Sequence, residues 1–76
     1  MDQPTRKAII RNHIEPLITN STAKVHECMG MIVIEDEWQI IPQEWLVDKL
    51  AQELGSKGYS VDVYKEGDTV IIEDKE

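Results

Sequence analysis

The clearest hydrophobic pattern lies between Pro42 and Glu73. Leu46, Val47, Leu50, Ala51 and Leu54 recur at i, i+1, i+4, i+5 and i+8, a single apolar stripe at the helical period. Pro42 suits the first turn, where a missing N–H costs nothing, and Glu44 lies near the positive end of the helix dipole. Gly55 is expected to stop this helix, with Gly58 as a second break. Beyond it a β-hairpin is predicted to turn at Lys65-Glu66-Gly67-Asp68, setting Tyr64 opposite Thr69 and Val63 opposite Val70. Alternation then puts Val61, Val63, Val70 and Ile72 on one face. Ser60, Asp62, Tyr64, Thr69 and Glu73 share the other with Ile71. The apolar face is expected to pack on the Leu46/Leu50/Leu54 stripe, because an isolated hairpin is marginal in water.

At the other end, Asp2 can cap a helix with Pro4 in its first turn, and Ala8, Ile9, Ile10, Ile14, Leu17 and Ile18 supply an apolar side. Pro16 predicts a break or kink near Glu15, since proline donates no N–H and disfavours helical geometry in the residue before it. Residues 23–41 fit two patterns. Val25, Met29, Ile32 and Val33 suit a helix, while Met31-Ile32-Val33-Ile34 and Trp38-Gln39-Ile40-Ile41 suit strands. The reading adopted is a short helix at about 22–29, then two extended segments joined by a solvated acidic turn at Glu35-Asp36-Glu37. No internal repeat or low-complexity segment is evident.

The expected architecture is one small α+β domain over residues 1–76: an N-terminal helix, the ambiguous middle, then a helix and a C-terminal hairpin. This order resembles the layout of winged-helix domains. The helix that would then enter a DNA groove carries Glu44, Asp48 and Glu53 against Lys49, and the would-be wing carries Glu66 and Asp68 against Lys65. The resemblance therefore implies a winged helix that binds protein rather than DNA.

Composition narrows the class further. The net charge is −7, divided as +2 over residues 1–24 and −9 over residues 25–76. Such a field opposes nucleic-acid phosphates and favours either solubility alone or a basic partner. A core of this size rarely supplies more than about 3–5 kcal/mol, so homodimerisation is one expected way to bury more surface. One cysteine, Cys28, fits a reducing compartment. With no stretch of about 18 apolar residues and no charged-then-apolar leader, the chain is expected to be cytoplasmic and free of membrane contact.

Candidate chemistry is sparse. His26, Glu27 and Cys28 with His13 contain metal-ligand types, but their spacing matches no familiar zinc pattern, and two surface histidines beside a half-buried Cys28 account for them better. A Cys–His nucleophile needs an oriented base and a walled pocket, which a core this small can hardly build. No enzyme activity, metal or cofactor is expected.

The better candidates are aromatic. With no Phe in the chain, large aromatic area concentrates at Trp38 and Trp45, and tryptophan is enriched in interface hot spots. Completion of the core explains either residue as simply. The expected function is a non-enzymatic regulatory or adaptor protein that binds another protein, such as an inhibitor of a basic-surfaced partner. Its contact residues would be Trp38, Trp45, Lys49, Tyr64 and Ile71. The alternative is a winged-helix-like nucleic-acid-binding regulator using Arg6, Lys7, Arg11 and Lys24.

Overall fold

A computed structural model describes residues 1–75. The chain forms α1 (Gln3–Ile9), a π-helical turn (Ile10–Ile14), α2 (Glu15–Ile18), β1 (Lys24–Cys28), β2 (Met31–Glu35), α3 (Gln43–Ser56), β3 (Val61–Glu66) and β4 (Thr69–Asp74). The four strands make one antiparallel sheet in the order β1-β2-β4-β3. Both helical segments lie on the same face. Ile9, Ile14 and Ile18 from the first and Leu46, Leu50 and Leu54 from α3 meet Ile32, Ile34, Val70 and Ile72 in one buried cluster.

Local chemistry explains the helix ends. The Asp2 carboxylate accepts the Thr5 N–H at 2.9 Å, capping α1. That bond, with the other contacts of the carboxylate, holds its pKa below the usual 3.8. A depressed folded-state pKa adds stability that is complete above the unfolded value and disappears as pH falls through the folded one. Asp2→Asn keeps a capping oxygen without the charge, so its urea midpoint should lie slightly below the parent's near pH 7 and fall less steeply below pH 4, closing the gap. Parallel acid profiles would show that the charge contributes nothing.

Helix α3 ends two to three residues later than expected. Gly58, at φ +87°, takes the left-handed position; its N–H bonds to the Gly55 carbonyl at 3.1 Å and the Tyr59 N–H bonds to the Leu54 carbonyl at 3.0 Å. This pair is the Schellman arrangement, with Gly58 rather than Gly55 as its pivot.

Pro16 does not break the N-terminal helix. The chain widens into the π-turn instead, in which the Glu15 N–H bonds to the Ile10 carbonyl, and then continues as α2. A wider turn absorbs a residue that has no N–H and crowds the carbonyl four positions back. The extra residue also lets Ile9 and Ile14, five apart, both face the core, where α3 uses the four-residue spacing of Leu46 and Leu50.

The stretch expected as a helix at 22–29 holds strand β1, Lys24–Cys28, instead. β1 pairs with β2 from Lys24↔Glu35 to Cys28↔Met31, and the turn is Met29-Gly30, not the acidic tripeptide. Both turn residues have positive φ, 52° and 77°, as a two-residue hairpin of this twist requires. The alternation was obscured because Glu27 faces the helices, where the Arg6 Nε donates to its Oε1 at 2.6 Å. Trp38-Gln39-Ile40-Ile41 is a connecting loop, not a strand. Asp36, expected in water, is buried and anchors that loop: its Oδ2 accepts the Ile41 N–H and its carbonyl accepts the Gln39 N–H, each at 3.0 Å.

The C-terminal hairpin is as expected in place but tighter in register. Its loop is Gly67-Asp68, with Gly67 at φ +60°, and Tyr64 faces Ile71 instead of Thr69. The shift is two residues, so every side chain keeps its face. Lys65 and Glu66 extend the strand, and Lys65 Nζ meets Glu44 Oε1 of α3 at 3.2 Å.

The arrangement is a repeated helix–hairpin unit whose second strands, β2 and β4, pair antiparallel through Val33↔Ile71. This gives the sheet an approximate two-fold axis. The winged-helix likeness extends to element order only. With Lys24–Cys28 in a strand, no helix pair among the described residues is left to form a helix-turn-helix, and both hairpins join in one sheet.

Candidate protein-binding face

With both helical segments on one side, the other face of the sheet is open. Strand alternation places Lys24, His26 and Cys28 of β1 there, with Met31, Val33 and Glu35 of β2, Thr69, Ile71 and Glu73 of β4, and Asp62, Tyr64 and Glu66 of β3. Register aligns His26, Val33, Ile71 and Tyr64 in a single row across all four strands. Ile71 is only 7 % exposed although no helix covers it, because its cross-strand neighbours Val33 and Tyr64 flank it. The first helix, packed on the opposite face, does not shield it.

The face has two halves. On β1 and β2, Val33, Met31 and Cys28 form an apolar strip that runs on to Met29 at the hairpin tip. Met29 is 91 % exposed and holds a left-handed conformation that side chains with a Cβ adopt reluctantly. On β3 and β4, Asp62, Glu66 and Glu73 surround Tyr64. Reduced hydration first, then these carboxylates, with Glu73 foremost, push the Tyr64 phenol above its usual 10.0. Glu35 lies 3.9 Å from the His26 imidazole on the other half.

The expected contact residues separate into two groups. Tyr64, 36 % exposed, and Ile71 are neighbours on the open face. Trp38, 73 % exposed, lies at its β1–β2 end, lining a polar groove with Lys24 and Glu35. Trp45, 49 % exposed, and Lys49 stand one turn apart on α3, in the helical layer. Trp45 and Tyr64 therefore do not make one aromatic patch. Sequence reasoning missed Met29, Met31 and Val33, because the stretch to Met29 read as helix; the Met-Gly pair before a β-branched run was the available hairpin signal.

The basic residues are not gathered either. Arg6 is committed to Glu27 and to the Met1 carbonyl, Lys7 and Arg11 are exposed on the first helix, and Lys24 lies on the open face opposite Glu35. His13, expected at the surface, is buried: its Nδ1 lies 2.6 Å from Glu53 Oε1 and its ring sits edge-on to Tyr59. Cys28, expected half-buried, is exposed. Among the described residues no cluster of three His, Cys, Asp or Glu side chains is arranged to hold a metal ion, and no helix is long and apolar enough to cross a membrane.

Comparison with protein-family models, with curated proteins and with solved structures gives no match.

Proposed function

We propose that this chain is a non-enzymatic regulatory or adaptor protein of the cytoplasm that acts by binding a basic-surfaced protein, for example as an inhibitor. The observation that carries this reading is the combination of a −9 charge over residues 25–76 with large apolar side chains, Trp38, Trp45, Tyr64 and Met29, left in solvent. Exposed aromatic and Met side chains among carboxylates give a partner both apolar contact and charge complementarity. Scattered basic groups supply no continuous track for phosphates, which argues against the nucleic-acid alternative.

The test is capture of partners from host lysate with the tagged protein. A discrete protein partner should survive nuclease treatment and elute as salt rises toward 1 M, where the Debye length is only about 3 Å. Recovery of nuclease-sensitive nucleic acid, reduced in Arg6→Ala with Arg11→Ala, would replace this reading with the alternative.

A further inference from the structure

The geometry points to the open face of the sheet as the docking surface, and to a basic amphipathic helix of the partner protein as its occupant. This deepens the protein-binding reading and rests on it.

Three features select the occupant. The sheet lacks a second layer on this side, and a row of four strands at about 4.8 Å spacing is about 14 Å across. One helix, about 10–12 Å in diameter with its side chains, covers most of that width. The strip of exposed Met29 and half-buried Met31 and Val33, backed by the buried Ile71, offers the apolar contact such a helix needs along one edge. Asp62, Glu66 and Glu73 then lie under its other edge, where Lys or Arg would meet carboxylates and the Tyr64 ring. A second copy of this chain fits poorly, because among the described residues the face carries Asp62, Glu66, Glu73 and Glu35 against one lysine, Lys24, and His26. A nucleic acid meets the same repulsion. Met29 adds a further hint: glycine or asparagine would suit its left-handed position better, so the turn holds an exposed thioether at a conformational cost.

The experiment uses the intact chain, isotope-labelled and titrated with a synthetic Leu/Lys amphipathic peptide of about 18 residues, roughly 27 Å as a helix. Amide shifts should centre on Met31, Val33, Tyr64 and Ile71. Tyr64→Ala, and separately Glu66→Lys with Glu73→Lys, should each weaken binding about tenfold. Glu15→Lys with Asp48→Lys, an equal charge change on the helical side, should change it little. Met29→Gly should raise the urea midpoint while weakening the peptide.

Shifts centred on Trp45 and Lys49 would overturn the assignment of this face while leaving the protein-binding reading intact. Equal affinity for a Leu/Glu peptide would overturn the choice of a basic occupant. Shifts at these residues on concentrating the protein alone would make a second copy the occupant. Absence of any peptide-induced shift would remove the inference, whereas loss of the broader reading would show in the lysate experiment as absence of any protein partner.

Discussion

Leu50→Ala is expected to leave the chain largely unfolded at 25 °C. Leu50 is fully buried, at the middle of the α3 stripe that packs on β3 and β4 and across to the first helix. Truncating a buried leucine costs about 2–5 kcal/mol, the transfer of the lost methyl groups plus the cavity they leave. A core of this size supplies only about 3–5 kcal/mol altogether. Far-UV circular dichroism and urea titration measure the loss, with Leu50→Met, which nearly conserves volume, expected to cost less than about 1.5 kcal/mol. If the alanine variant unfolded at the parent's urea concentration, α3 could not be packed by this stripe.

The second large effect is expected at the His13–Glu53 contact, and its asymmetry is the informative part. The His13 imidazole is buried, whereas the Glu53 side chain keeps partial access to water. Glu53→Ala should therefore cost about 1–3 kcal/mol, because it strands a buried polar nitrogen. His13→Leu should cost less, since it fills the site with an apolar group and leaves a carboxylate that water can solvate. Urea unfolding of both variants gives the comparison. A costlier His13→Leu would mean that ring packing against Tyr59, rather than the hydrogen bond, is what this position contributes.

Several elements were legible because their signals are local. The α3 stripe, the Asp2 cap and the face assignments in the C-terminal hairpin all follow from periodicity and end chemistry within a few residues. The hairpin register was misplaced by two residues because Lys65 and Glu66 resemble turn residues. They lie in β3 because they pair with Val70 and Thr69 of β4, and Lys65 also meets Glu44 of α3, a contact the local pattern does not contain. β1 was hidden for a related reason: Glu27 points toward the helices and is tolerated there by Arg6, twenty-one positions away. Asp36 was expected in water on the sound ground that burying a carboxylate is costly, but the loop folds back to satisfy one of its oxygens. The repeated helix–hairpin unit left no trace in sequence because Ile9, Ile14 and Ile18 match Leu46, Leu50 and Leu54 only in being apolar, and the π-turn shifts their spacing.

The candidate site divides the same way. Tyr64 and Ile71 could be placed on one face from alternation alone, and the isoleucine was conspicuous among polar neighbours. That this face is open, and continuous with Met29, Met31 and Val33, depends on β2 pairing with β4 and on both helical segments choosing the opposite side. What the sequence by itself determined is the set of local elements, the faces of the last two strands and the sign of the field around them, because each depends on neighbouring residues or on simple charge. Which strands meet, which carboxylates are buried, and which apolar side chains remain in solvent were decided by tertiary structure, because contacts between residues far apart in the chain outweigh the weak local preferences that would have placed them elsewhere.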